Sequence, residues 1–184
     1  MKWIKDKDFI RGNIPMTKFN IRVLTLGYLA IQEGDRLLDI GAGTGSISIE
    51  ASLQGALVWA IEKEEEGINL IKSNDDRFNT GITIIKGIAP EDLPNIMFNK
   101  CFVGGSKGKL SEIFQYLESF LEKDGIVCGN FITLKNLNEY IGLLNKYNYK
   151  DIETQLIQSA YIDEYGLMKG QNPIYIIKGV KSID

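Results

Sequence analysis

The chain of 184 residues contains no histidine. That absence excludes His-based triads, imidazole general bases and the His-containing zinc and iron sites. Only two cysteines occur, Cys101 and Cys128, both inside apolar runs and with no C-x-x-C spacing. They read as buried thiols of a reducing compartment, which leaves neither a disulfide framework nor a thiolate metal site. A basic excess is missing as well. With 21 Lys and Arg against 24 Asp and Glu, the net charge of −3 offers no global positive field for nucleic acid. No apolar run reaches the length of a membrane span, and the first eight residues, Met1 to Asp8, hold no apolar signal core. These absences predict a cytoplasmic protein with no nucleic-acid partner, no membrane partner and no bound metal. The length fits one domain over residues 1–184, and a composition of 44% hydrophobic and 24% charged residues is ordinary for a globular chain.

What is present is concentrated in the run Leu37-Leu38-Asp39-Ile40-Gly41-Ala42-Gly43-Thr44-Gly45-Ser46. An apolar stretch ends in an acid, then in three alternating glycines, then in a helix-like pattern. That order lets backbone N–H groups approach a ligand with no Cβ in the way. Dinucleotide sites use G-x-G-x-x-G, and here Ser46 stands where their third glycine would be. A P-loop is excluded because no Gly-Lys-Ser/Thr follows. The spacing D-x-G-x-G-x-G resembles the cofactor turn of Rossmann-like S-adenosylmethionine (SAM) enzymes. A bare glycine triplet can also be a tight structural turn, so a second feature must decide. The run Ala56-Leu57-Val58-Trp59-Ala60-Ile61-Glu62 supplies it, a buried strand ending in an acid about 20 residues past the glycines. A carboxylate there can accept from both ribose hydroxyls at once. The competing reading of Glu62 is a solvated acid opening the charge run Lys63-Glu64-Glu65-Glu66.

Apolar periodicity predicts a helix over 17–30 with Thr17 as N-cap, strands over 36–40 and 57–61, and helices over 46–54 and 64–78. Strands follow at 82–86, 100–103 and 125–131, with helices after Gly108 to about residue 121 and over 134–147. The tail holds two apolar runs, 152–160 and 173–180, that read as an antiparallel pair across a polar, glycine-containing stretch. The fold class is therefore α/β, and strands alternating with helices before a closing hairpin resemble the Rossmann-like class I SAM-dependent methyltransferase plan: a seven-stranded sheet, helices on both faces and a C-terminal antiparallel hairpin. In such sheets ligands sit beyond the carboxyl ends of the strands. That places Ala89 beside the adenine and Gly104-Gly105-Ser106 facing the transferred methyl group. The Asn/Asp-Pro-Pro-aromatic motif of DNA amino-methyltransferases is absent at that turn, and so is the Pro-Cys pair of cytosine carbon methylation, since Cys101 follows Lys100.

Further motifs resemble one family. Gly12-Asn13-Ile14-Pro15-Met16-Thr17-Lys18, with Arg22 four residues on, is similar to the N-terminal signature of the decarboxylating precorrin methyltransferases of cobalamin biosynthesis. Ala60-Ile61-Glu62-Lys63, Gly87-Ile88-Ala89-Pro90, Phe102-Val103-Gly104-Gly105-Ser106 and Asn172-Pro173-Ile174-Tyr175-Ile176-Ile177 follow that family in order, over nearly the whole chain. The resemblance implies methylation at carbon 15 of a cobalt-precorrin, with loss of carbon dioxide from the acetate on carbon 12. It implies a homotetramer, and a separate partner enzyme for methylation at carbon 5. It also implies SAM contacts at Thr17, Gly41, Ala42, Gly43, Thr44, Gly45, Glu62 and Ala89, under a covering segment formed by residues 1–30. The sequence departs from the family at Phe19-Asn20 and in the acidic stretch around Asp163 and Glu164.

Such chemistry suits a chain without imidazole. A sulfonium donor is already activated, so the protein mainly aligns nucleophile, methyl and leaving sulfur. A precorrin is a flat polycarboxylate that needs a broad cleft and cations for its arms. Arg11, Lys18, Arg22, Lys107, Lys109 and Lys135 are the available cations. Lys18 and Arg22 come first as substrate contacts, with Gly104, Gly105, Ser106 and Lys107 at the fourth strand's end; no catalytic residue is assigned. Tyr28 and Tyr116 read as core. Other readings that share the cofactor residues are a different small-molecule, protein-carboxyl or RNA methyltransferase, and a non-catalytic SAM-binding subunit.

Overall fold

A computed structural model describes residues 3–182. Five helices, α1 (Phe19–Leu29), α2 (Ser46–Leu53), α3 (Glu65–Phe78), α4 (Leu110–Phe120) and α5 (Leu134–Lys146), alternate with strands. The strands are β1 (Arg36–Ile40), β2 (Leu57–Glu62), β3 (Thr83–Lys86), β4 (Phe98–Val103), β5 (Leu121–Phe131), β6 (Lys150–Ile157), β7 (Ala160–Ile162), β8 (Met168–Gly170) and β9 (Ile174–Val180). Seven of them form one sheet in the order β3-β2-β1-β4-β5-β9-β6. The first five run parallel, and β9 inserts antiparallel between β5 and β6. The chain leaves β1 toward β2 on one side and returns to β4 on the other, so a crevice opens where their carboxyl ends part.

Burial explains the strand sequences. Leu37, Leu38, Asp39 and Ile40 are all buried, the continuous pattern of a parallel strand covered on both faces. One apolar core joins the sheet to α4 and α5 through Phe98, Phe114, Leu117, Tyr140 and Leu144. The other joins it to α1, α2 and α3 through Leu26, Leu29, Ile47, Ile49 and Ile71. Cys101 belongs to the first core and Cys128 to the second, so the two buried thiols lie on opposite faces of the sheet. Tyr28 and Tyr116 pack half-buried against these cores, as expected.

Three expectations need correction. The first helix begins at Phe19 with Lys18 as its N-cap and no side-chain cap bond, so Thr17 is not the cap. The fifth strand starts at Leu121, directly after α4, instead of at Gly125. The polar stretch of the tail contains a small hairpin of its own, β7 against β8. No helix of the described residues is long and apolar enough to cross a membrane.

Candidate active site

The turn after β1 and the turn after β4 meet in the crevice, because Ile40 and Val103 are register partners. Gly41, Gly43 and Gly45 all hold positive φ (74°, 59° and 77°), the left-handed region that glycine occupies without strain. The two turns pack main chain on main chain. A Cβ at Gly41 would lie 2.9 Å from the Gly105 nitrogen, and one at Gly104 would lie 3.1 Å from the Gly41 carbonyl oxygen. Gly105 differs, since a Cβ there would meet no protein atom within 4 Å. Protein packing therefore does not require glycine at 105.

Two adjoining cavities occupy this crevice. The first, about 360 Å³, is lined by Gly41, Gly43, Glu62, Ala89, Gly104 and Gly105 and flanked by Ser106 and Lys107. The second, about 270 Å³, is lined by Thr17, Lys18, Ala42, Thr44, Asn130 and Ile132, among others. Pro15, Gly41, Gly43 and Gly104 line both. The donor set of the first cavity fits the expected cofactor: a carboxylate at the end of β2, open glycine main chain, and a small residue at Ala89. The Glu62 carboxylate also has internal duties. It accepts from the main-chain N–H groups of Gly43 (2.9 Å), Lys63 (2.8 Å) and Glu64 (2.9 Å), so it holds the glycine turn in place.

Two expected contacts are reassigned by burial. Gly45 is buried beneath the cleft, where a Cβ would lie 3.2 Å from Ile71, so it serves the packing of α2 on α3. Arg22 is fully buried and does not reach either cavity. Its guanidinium donates to the Ile4 carbonyl, to the Thr17 carbonyl (2.8 Å), to Asp6 (3.1 Å) and to the buried Glu50 (3.3 Å), and it lies over the Phe9 ring. Removing one partner of such a pair leaves the other charge uncompensated, at a cost of about 3–5 kcal/mol. Arg22 therefore ties the N-terminal segment to α1 and α2, and the other candidate cations stay outside this knot. Lys109 pairs with Glu91 across the surface.

Several site-building residues escaped the sequence reading. Asn74 in α3 is fully buried; it accepts from Ile10 N–H (2.8 Å) and donates to the carbonyls of Ile10 (3.0 Å) and Thr44 (3.1 Å). One side chain thus staples the N-terminal segment to the glycine turn. Gly67 lets α3 approach Glu62, because a Cβ there would sit 2.6 Å from the Glu62 Cγ. Asp39 lies under the turn with no exposure, and Ser48 Oγ donates to it at 2.5 Å. Burial, reinforced by the nearby Glu62 charge and opposed by the Ser48 bond, pushes its carboxyl up to about 7.

The geometry has close relatives. Residues 8–181 match the family model described as a precorrin methyltransferase domain. A relative in Saccharolobus solfataricus, named as a probable cobalt-precorrin-6B C(15)-methyltransferase (decarboxylating), is 38% identical over 97% of this chain and 95% of its own. The Salmonella typhimurium cobalt-precorrin-6B C(15)-methyltransferase (decarboxylating) is 34% identical over 95% of this chain and 94% of its own. Among solved structures, a precorrin-6y C5,15-methyltransferase from Geobacter metallireducens superposes with a TM-score of 0.92 at 32% identity, covering 98% of this chain and 97% of that one. A precorrin 8W decarboxylase from Methanobacterium thermoautotrophicum superposes at 0.86 with 27% identity, over 96% and 98% of the two chains. The chain belongs to the precorrin methyltransferase family.

Proposed function

We propose that this protein transfers a methyl group from SAM to carbon 15 of a cobalt-precorrin and removes the carbon-12 acetate carboxyl as carbon dioxide. The observation that carries the reading is the pair of adjoining cavities with a common glycine wall at the ends of β1 and β4. Bound in the first cavity, SAM supplies an electrophilic methyl on a sulfonium. Glu62 accepts from the ribose hydroxyls while keeping its bonds to the turn, and Ala89 lies along the adenine. The open main chain at Gly104 and Gly105 lets a flat macrocycle approach the methyl group. Lys18, Ser106 and Lys107 are placed to meet its carboxylate arms.

Electron bookkeeping supports a site without imidazole. Methylation takes up an electron pair at carbon 15, and decarboxylation releases one from the neighbouring arm. Carbon 15 loses a proton and the former acetate carbon gains one, so the net reaction consumes no acid or base. The chain's task is alignment and exclusion of water.

The chain acts as one catalytic unit, with residues 3–30 of the described chain forming the cover and a separate enzyme methylating carbon 5. It works in the cytoplasm as a homotetramer. Support for self-association comes from the β7–β8 hairpin, where Tyr161, Ile162, Tyr165, Leu167 and Met168 are all more than half exposed. Incubating the purified protein with SAM and a cobalt-precorrin-6B preparation, then weighing the products, tests the reading. The expected product has gained one methyl and lost one carbon dioxide. A methylated product that keeps every carboxyl under all conditions would contradict the decarboxylating assignment.

A further inference from the structure

The segment that leads into α1 reaches the cleft without regular structure of its own. Residues 9–18 form neither helix nor strand, so side chains of other elements must fix their course. One face of α3 does this. Glu66, Leu70, Asn74 and Phe78 follow one another at four-residue steps, the spacing that stacks side chains along one side of a helix. The segment runs past them in the opposite sense. The Phe9 and Phe78 rings lie 5.3 Å apart, and Asn74 holds both the N–H and the carbonyl of Ile10. A Cβ at Gly12 would lie 3.3 Å from Leu70, and Glu66 accepts from the Asn13 N–H at 2.5 Å. The next two residues, Ile14 and Pro15, line the first cavity. They stand over the glycine turn, since a Cβ at Gly43 would meet Ile14 at 3.4 Å and the Pro15 carbonyl oxygen at 3.6 Å. The helix touches that same turn twice. Asn74 donates to the Thr44 carbonyl at 3.1 Å, and a Cβ at Gly67 would lie 3.1 Å from the Gly43 carbonyl oxygen. Glu66 and Asn74 themselves line neither cavity of the crevice.

We infer that Glu66 and Asn74 are positioning residues for the methyl donor: they dock residues 9–13 on α3, and this docking sets the wall that Ile14 and Pro15 present to the donor. The inference rests on the reading of the first cavity as the SAM site. Arg22 fixes the two ends of the segment, through Ile4, Asp6 and Thr17, and leaves the stretch between them to α3. The anchors there are few, and Glu66 is exposed. Undocking is therefore a local event that leaves the sheet and its two cores intact. A donor that rests against Ile14 and Pro15 binds the docked segment more tightly than the undocked one. By linkage, a bound donor then holds the segment down by the same factor. Where docking is weakened, part of the donor's binding energy goes into restoring it, and affinity falls with the docked fraction.

The test measures the affinity for SAM and for its demethylated product, together with amide hydrogen exchange, in the full chain. Wild type is compared with Asn74→Ala, Glu66→Ala and Glu66→Gln, with melting temperature recorded for each. In wild type, saturating demethylated product slows exchange of the Ile10 and Asn13 amides by about tenfold. Asn74→Ala removes the bonds to Ile10 and Thr44, so both amides exchange faster and donor affinity falls by about tenfold. Glu66→Ala changes an exposed residue and keeps the melting temperature within a few degrees of wild type. It speeds exchange at Asn13 and lowers donor affinity by about threefold, so it decides the matter even where Asn74→Ala does not fold. Glu66→Gln keeps an acceptor for the Asn13 N–H and returns both readings close to wild type. Two results would overturn the inference. One is faster exchange at Asn13 in Glu66→Ala with donor affinity unchanged, the mark of a merely structural bond. The other is wild-type exchange at Ile10 and Asn13 that bound product does not slow. A wild-type chain that binds neither SAM nor its product overturns the cofactor reading and this inference with it.

Discussion

Asp39 and Glu62 are two carboxylates under one glycine turn, and their surroundings differ. Glu62 accepts from three main-chain N–H groups at the cleft. Asp39 has one hydroxyl donor, one oxygen with no partner among the described residues, and no water access. Its raised carboxyl links stability to pH. The folded state keeps a proton that the unfolded chain releases between about pH 4 and pH 7, so stability falls as pH rises through that window and is flat above it. Asp39→Asn, neutral throughout, removes this slope. Urea denaturation at pH 5, 6, 7 and 8 is expected to show a loss of a few kcal/mol for wild type across the range and little for the variant. Parallel curves would mean that the Asp39 proton is not linked to folding. At this scale the sequence told which residues are special more readily than what they do. The glycine turn and Glu62 were legible from spacing, whereas the roles of Asn74 and Arg22 depend on a chain segment more than 45 residues distant in Asn74's case and on a buried partner, Glu50, in Arg22's. Neither pairing leaves a local pattern.

Gly104 and Gly105 are adjacent in the turn after β4 yet serve different ends. Gly104 is required by the protein itself, because a Cβ would press on the Gly41 carbonyl. Gly105 faces open space on the cavity lining and does not hold the left-handed backbone that favours glycine. Gly105→Leu is accordingly expected to leave the melting temperature within a few degrees of wild type and to abolish precorrin turnover, with SAM affinity nearly unchanged. Full turnover in that variant would show that the acceptor does not pass over this turn. The element pattern was largely legible, since the alternation of buried strands with amphipathic helices carries its own period. Its failures lie at ends and in short pieces. Nothing in Thr17-Lys18-Phe19 distinguishes an N-cap at 17 from one at 18 when neither side chain caps, and three-residue strands such as β7 and β8 are too short to show alternation.

The whole molecule places its two exposed features on one edge. Ile157 and Ile174, which bracket the β7–β8 hairpin, are register partners, and the next residue, Tyr175, pairs with Phe131 at the carboxyl end of β5. The apolar hairpin therefore springs from the same edge of the sheet as the cleft. If copies associate through it, Ile162→Glu with Met168→Glu is expected to shift the mass measured by light scattering from an oligomer to a single chain, since both side chains are more than two-thirds exposed within one copy. An unchanged oligomer mass would place the interface elsewhere. Sheet order was legible only as a class, because strand neighbours are fixed by long-range pairing. The polar, glycine-containing stretch between its two apolar runs gave the tail its antiparallel character, and the insertion of β9 between β5 and β6 emerges only in three dimensions.

The wall between the two cavities consists of Pro15 and three glycines. None of the four carries a long side chain, so no rotamer change there can widen or narrow the passage between the cavities. The width of that passage is set by how β1 and β4 lie against each other, Ile40 beside Val103, in the middle of a seven-stranded sheet. A parallel sheet buried on both faces is among the stiffest parts of a domain. Heating should therefore loosen the N-terminal cover and the hairpin well before it alters the transfer distance. Warm inactivation of this enzyme would then begin as loss of its grip on the substrate, and a high substrate concentration would recover the rate.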